Sequence, residues 1–533
     1  MVTTSQAVPG RPELIIGLVC PLGAGIDALE RAISKALEPF GYKSEHIRLS
    51  DLLRRLNSWT NETDEQEQTR IHNRQGHAAA FRKAGGLDSL ARAAITEIRS
   101  RRSAITNDPD ESADSVAYIL RQLKHPAEVE LLRRVYGQSF VVIAGHAPED
   151  IRVDSLADSL AKTAGKASPR EFENSARSLI NTDESADNNT DEDAGFTQNT
   201  RDAYPLADFF VDLSANEGGS VRRFIELLFG HPFKTPTAEE MAMHQASAMS
   251  LRSSDERRQV GAVIVKRVAR GSSDRLADAT VVASGMNEVP RRQGGYYWDD
   301  ESPDGRDQFL IYANQGSDRE ARIKLDALRE IAERLKANKW LADSLMVLDE
   351  SALADQLLKI LARTQFSSIS EFMRQVHAEM AAIVDAAMRG VPVRECEMYV
   401  TTFPCHGCAK HIIAAGIKKV VYLEPYPKSR AGMLHKEEIA LDPKDPATVG
   451  DKVLFVPFTG VAPRQFARLF SMTARGRKHG VSLGEWPNKQ AELSPHTILP
   501  HAALGYMQAE RDELQRLPQG FNWDKAKLAP ERS

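Results

Sequence analysis

Short apolar runs, each bounded by glycine, proline or polar residues, recur along the chain and alternate with stretches of helical periodicity. Residues 13–19 read as a buried strand, and a glycine-bearing turn and an amphipathic stretch over 27–38 follow it. The runs 139–145 and 208–213 predict further buried strands, and the long-side-chain and alanine content of 72–101 and 127–135 predicts helices between them. This alternation predicts a three-layer α/β domain over residues 12–230. The interval 182–200, rich in Asp, Glu, Asn and Thr, reads as a mobile flap or a disordered loop.

Pro232 and Pro236 punctuate a new start. From there the pattern predicts helix 238–250, strands 260–265 and 281–284, helix 371–388, strand 398–401, helix 406–415 and strand 419–423, with one more strand at 453–457. This second α/β unit spans 237–475 and carries an insertion over 291–365, with helices expected at 319–337 and 341–363. Residues 476–533, helix-like over 501–515, form a C-terminal extension packed on the core or on a neighbouring subunit.

Composition narrows the class. No apolar stretch is long enough to cross a bilayer, and the N-terminal apolar run is interrupted by Pro21 and lacks a basic leader, so the expectation is a cytoplasmic protein without a membrane partner. Four cysteines in 533 residues make a disulfide scaffold improbable. A net charge of −5 gives no global field for a polyanion, so small nucleotides outrank long nucleic acid as substrate.

Two local sequences carry most of the chemistry: His377-Ala-Glu379, and Pro404-Cys405-His-Gly-Cys408 after an apolar strand. One imidazole and two thiolates are good ligands for Zn2+, and three protein ligands leave a fourth position for water. Cys405 and Cys408, at i and i+3, can aim both sulfurs at one ion from the first turn of a helix if Pro404 begins it. If His377 also sits at a helix start, its ring and the Glu379 carboxylate reach a shared cavity. Glu379 would then move protons between an attacking water, N3 of cytosine and the departing amino group. A CxxC alone is also compatible with a thiol pair or half of a structural zinc site, for which Cys396 or His406 would supply a fourth ligand. Cys20 and Cys396, in apolar surroundings, read as packed thiols.

With these motifs in place, the region 240–425 resembles the cytidine and deoxycytidylate deaminase superfamily, whose signature is H-x-E with P-C-x-x-C. Residues 258–265, 284–290, 401–410 and 415–422 extend the likeness. The resemblance implies a cytidine-deaminase-like α/β/α domain with a mostly parallel five-stranded sheet, a homo-oligomer, and substrates among the deoxycytidine nucleotides, dCTP or dCMP. It also makes Asn287 a candidate contact to sugar or phosphate, against the plainer reading of a turn former. Tyr426, Lys428 and Arg430, after the last core strand, are candidates to stack on a base and hold phosphate, or are a solvated loop.

Gly17, Gly23 and Gly25 have the strand, turn and helix context of a phosphate loop, but Ile26 and Asp27 stand where a Walker A motif needs Lys and Ser or Thr. With residues 47–53, 123–133 and 140–144, the first domain diffusely resembles nucleoside-monophosphate and dephospho-coenzyme A kinases. The implied fold is α/β throughout: an N-terminal P-loop-kinase-like domain, catalytically silent and open to a nucleotide effector, before the deaminase-like domain. That pairing resembles bacterial anti-phage deaminases that deplete cytosine deoxynucleotides under control by an unidentified regulator. A single-stranded nucleic-acid deaminase, and a nucleotide-sensing scaffold with structural zinc, are the competing readings.

Overall fold

The computed structural model describes residues 11–59, 66–166, 168–184, 194–215, 217–256, 258–269, 276–300, 304–306, 319–361, 373–426, 429–471, 490, 493–495, 502–518 and 520–521. The chain forms two compact units: Met1–His244 with Asp442–Pro446 and Phe458–Ser533, and Gln245–Leu441 with Ala447–Pro457.

In the first unit, β1 (Leu14–Val19), β2 (Lys43–Arg48), β3 (Val116–Arg121), β4 (Phe140–His146) and β5 (Phe209–Asp212) form a sheet in the order β5-β4-β1-β3-β2, all pairs parallel. Gly460–Val461 adds an antiparallel edge to β5. The central strands are buried on both faces, which is why they read as continuous apolar runs. Leu14, Ile16 and Leu18 pack on α1 (Ile26–Leu37) and on the helix Glu217–Leu228 through Leu29, Ile33, Phe224 and Ile225. The 72–101 stretch is two helices, α2 (Glu67–Gly85) and α3 (Ser89–Thr106), because Gly86 takes φ 93° and ends the first.

The C-terminal helix Ala502–Leu514 packs against α3. The contact is ionic at its centre. Arg102 and Glu510, both with fully buried side chains, pair at 2.7 Å, and Arg102 also binds Glu13 at 2.8 Å, while the Tyr506 hydroxyl donates to Glu13 at 2.6 Å. Arg102→Met would remove the cation that two buried carboxylates share, leaving Glu510 with Arg99 and Glu13 with hydrogen bonds alone, an effect of up to about 3–5 kcal/mol. The expected result is a lower melting temperature of the first unit and faster proteolysis around residues 502–514. Unchanged melting would mean the cluster contributes nothing net.

The second unit holds a six-stranded sheet rather than the expected five. Using β6 (Gly261–Ala269), β7 (Leu276–Met286), β8 (Glu397–Thr402), β9 (Lys419–Glu424), β10 (Ile439–Leu441) and β11 (Val453–Pro457), the order is β10-β11-β9-β8-β6-β7. β6 is antiparallel to β7 and β8, and the remaining pairs are parallel. Within the insertion, helices Arg319–Ala337 and Glu350–Leu361 pack on each other, with a short Asp343–Met346 turn between them where one helix over 341–363 was expected. Residues 362–372 lie outside the described residues, as does 185–193 of the expected flap; the earlier part of that flap, to Glu184, continues a helix.

One glycine sets the depth of the site. A side chain at Gly285 of β7 would meet the backbone of Ala378 and Ala382 at 2.4 Å, so its absence lets the helix Ala378–Met388 lie close on the sheet.

Candidate active site

Three chain segments converge. Val376 makes a bridge with Glu288 at the exit of β7, and this fixes an extended segment that ends at His377. His377, with φ −66° and ψ 153°, is the N-cap of Ala378–Met388, so the helix expected from 371 begins later within the described residues and has the histidine at its mouth. The third segment leaves β8 through Phe403 and Pro404, and Cys405 caps the helix His406–Ala414, its sulfur accepting the Cys408 N–H at 3.4 Å. Helix start and thiolate favour each other, since the unpaired amides of the first turn stabilise negative charge.

His377 Nδ1 faces both sulfurs, 3.3 Å from Cys405 Sγ and 3.4 Å from Cys408 Sγ. The ligand atoms of the three residues lie within 4.8 Å of one another. In a tetrahedral zinc site, ordinary Zn–S and Zn–N lengths put nitrogen and sulfur about 3.6 Å apart, so the donor set fits that ion in both chemistry and spacing. Among the described residues the cluster consists of these three residues, which could hold a metal ion. Cys396 is packed in the sheet core, where burial pushes its thiol up, and His406 is exposed.

Electrostatics bind the group together. The hydrogen bond with Cys405 raises His377 to about 9, against the opposing effect of burial. Cys405 is held far below the ordinary thiol range by its hydrogen bonds with Cys408 and His377, and Cys408 is pushed up by its bond to Cys405 and by burial. Glu379, 4% exposed, sits in the first turn behind His377. Burial pushes its carboxyl up while His377 opposes the shift.

The other sequence candidates are distributed unevenly. Asn287 is buried beside the site, but its amide is engaged: Oδ1 accepts from Val260 N at 2.7 Å, and Nδ2 donates to Arg258 O at 2.8 Å and Asp255 Oδ2 at 3.1 Å. Both of its donors are spent on the 255–260 loop, leaving one Oδ1 lone pair for a ligand. Tyr426 is half-buried, and its hydroxyl is raised by burial and by the charge of Cys405, with Arg258 opposing. Arg430 is exposed at the start of the Ala431–Leu434 turn, and Lys428 lies outside the described residues.

Asp255 and Glu288 escaped the sequence reading. Asp255 acts electrostatically on His377 and binds Asn287, and Glu288, 1% exposed, accepts from Ser254 N at 3.0 Å and Oγ at 2.8 Å. Adjacency to Asn287 was the one signal for Glu288, and Asp255 had none, because these partners lie about thirty positions apart.

Of the glycines proposed for phosphate, Gly17 lies within β1, where an added Cβ would meet Leu123 at 2.5 Å. Gly23 and Gly25, at φ 83° and 86°, form the turn before α1.

Residues 236–424 match the family described as the cytidine and deoxycytidylate deaminase zinc-binding region. A deoxycytidylate deaminase of Enterobacteria phage T2 is 44% identical over 75 residues, 14% of this chain and 40% of the relative. The ComE operon protein 2 of Bacillus subtilis is 53% identical over 53 residues, 10% of this chain and 28% of the relative. The chain thus spans less than half the length of these curated relatives. A dCMP deaminase from the cyanophage S-TIM5, solved in complex with dCMP and dUMP, is 17% identical over 42% of this chain and 100% of its own, with a TM-score of 0.21. A C-terminal region of this chain, carrying a His/Cys cluster able to coordinate a metal ion, resembles the cytidine and deoxycytidylate deaminase superfamily.

Proposed function

We propose that the second unit catalyses hydrolytic deamination of dCTP, dCMP or both, giving the uracil deoxynucleotide and ammonia. The observation that carries this reading is the meeting of His377, Cys405 and Cys408 with the buried Glu379 in the first turn behind the histidine. His377, as neutral imidazole, and the two cysteines, as thiolates, would hold zinc. When bound there, the ion supplies Lewis acidity that makes water a competent nucleophile at neutral pH.

The chain's own part is proton traffic and positioning. Glu379 accepts one proton of the attacking water and delivers it to N3 as the C4–O bond forms and electrons move onto the ring; it then takes the remaining proton from the new C4 hydroxyl and passes it to the amino group, so that the C4–N bond breaks, ammonia leaves and the C4 carbonyl forms. Burial suits it to this, because a carboxyl whose charged form is disfavoured both takes and gives a proton readily. Asn287 holds the 255–260 loop, and through it Asp255, beside the cluster. Tyr426, half-buried near Cys405, is the side chain we assign to the base, with Lys428 and Arg430 as phosphate contacts.

The biological reading is depletion of cytosine deoxynucleotides in anti-phage defence, by a homo-oligomer whose N-terminal kinase-like domain regulates the activity. What supports it is the resemblance of the paired domains, together with the β2-β3-β1-β4-β5 parallel order that precedes the deaminase-like region. The test is ammonia release from dCMP, dCTP, CMP and CTP beside cytosine-bearing single-stranded DNA and RNA. Turnover of free deoxynucleotides is expected. Activity on strands alone would replace this reading with a polynucleotide deaminase, and inactivity throughout would favour a scaffold with structural zinc.

A further inference from the structure

A buried carboxylate stands where the chain delivers His377 to the site, and its counter-ion comes from the insertion. His377 is approached through an isolated bridge, in which Glu288 N donates to Val376 O at 3.2 Å and Val376 N donates to Glu288 O at 3.0 Å. Two backbone hydrogen bonds outside the named strands are a modest restraint. A functional side chain has to be held to within about 0.5 Å, so its support matters as much as its identity.

The Glu288 side chain, 1% exposed, supplies part of that support. Its carboxylate accepts from Ser254 N at 3.0 Å, Ser254 Oγ at 2.8 Å and Val289 N at 2.8 Å, all neutral donors. A carboxylate so deeply buried also calls for a positive charge beside it. Arg306, 5% exposed, brings Nη1 to 3.7 Å from Glu288 Oε2. Its Nε and Nη2 are spent on the Asp304 carboxylate at 2.9 and 2.5 Å, which leaves Nη1 turned to Glu288.

The same short stretch holds the other side of the bridge. Gly305 O accepts from Arg374 Nη1 at 3.1 Å, and Arg374 lies three positions before His377. Gly305 sits against Tyr297, whose hydroxyl oxygen an added Cβ would meet at 2.5 Å, and Arg252 binds the Tyr296 and Tyr297 carbonyls at 3.2 and 3.4 Å. Residues 304–306 are thereby pinned, and they touch both segments of the bridge, Glu288 in one and Arg374 in the other.

We infer that Arg306 is a positioning residue for the reaction centre. By pairing with Glu288 it fixes the bridge that sets His377 against the two cysteine sulfurs, so this part of the insertion belongs to the frame of the metal site. It acts through Glu288 and Val376 and supplies no ligand atom. The inference rests on the reading of His377, Cys405 and Cys408 as metal ligands.

Zinc affinity of the full chain, measured by competition with a chromophoric chelator, and the visible spectrum of the Co2+-loaded protein test this. Arg306→Gln is expected to lower zinc affinity on the order of tenfold, the effect of losing a group that orients a ligand, and to alter the cobalt bands, which report ligand geometry. Arg306→Lys, which keeps a positive charge beside Glu288, should recover most of the affinity. In a Glu288→Gln background the Arg306→Gln step should add little, because the charge it answers is gone. Arg374→Ala, which removes the donor to Gly305, should shift affinity in the same direction and decides the matter should Arg306→Gln not fold. At saturating zinc, Arg306→Gln should lower kcat with KM little changed.

Wild-type zinc affinity and cobalt bands in Arg306→Gln, or in Arg374→Ala should the former not fold, would overturn the proposal. So would a lysine variant no better than glutamine, an equal loss with and without Glu288, or a raised KM at constant kcat, which would make Arg306 a substrate contact. The metal readouts need no turnover. Zinc binding weakened as expected in a wild-type background that deaminates no nucleotide would reject the proposed function and leave the positioning role standing, and an active wild type with an indifferent Arg306→Gln would do the reverse.

Discussion

Glu379→Gln is expected to yield a folded, zinc-loaded protein whose deamination is slowed on the order of 10³-fold or more, near the upper range for removal of a general acid-base. Glutamine keeps the shape of the side chain, and at 4% exposure shape decides whether the first turn behind His377 packs as before. What it removes is the ability to accept and return a proton at the point where ring nitrogen and amino group must both be served. Metal analysis equal to wild type, an unchanged melting temperature and lost turnover together would identify the carboxyl as the proton carrier. Turnover within a few-fold of wild type would reject that assignment whatever the metal content.

The second large effect is expected from the ligands. Cys405→Ser retains an N-cap oxygen for the Cys408 N–H, so the helix His406–Ala414 should survive while a thiolate ligand is lost. Groups that merely orient ligands already change metal affinity about 10–100-fold, so loss of a ligand should exceed that and take activity with it. Chelation of the wild-type protein should likewise abolish turnover, and added zinc should restore it to wild type but not to Cys405→Ser or Cys408→Ser. A fully active Cys405→Ser protein, or chelator-resistant turnover, would remove the metal from the chemistry.

How much of this the sequence carried depended on how local each determinant was. His377 and Cys405 each cap their own helix, so two short motifs separated by an apolar strand were enough to bring together three side chains able to coordinate a metal ion. The doubly buried strands β1 and β4 announced themselves as apolar runs, and β3, an equally apolar run from Val116, was legible but overlooked after the polar stretch before it. The break between α2 and α3 was also written locally, in Gly85-Gly86. Non-local pairing was not legible. Nothing near Asp183 signals that it fills the turn at Leu22, and nothing near Glu510 signals a buried Arg102 more than four hundred positions away. Asn287 stood out as a candidate contact to sugar or phosphate, and its amide is committed to Val260, Arg258 and Asp255, partners that only the folded loop supplies.

The most direct measurement is mass analysis of the nucleotide product after incubating zinc-loaded protein with dCMP and with dCTP in 18O-labelled water. The expected result is a uracil deoxynucleotide with one heavy oxygen at C4, released with an equal amount of ammonia. Recovery of both cytosine nucleotides unchanged, or a product whose new oxygen does not come from solvent, would contradict hydrolytic deamination at the His377, Cys405 and Cys408 centre.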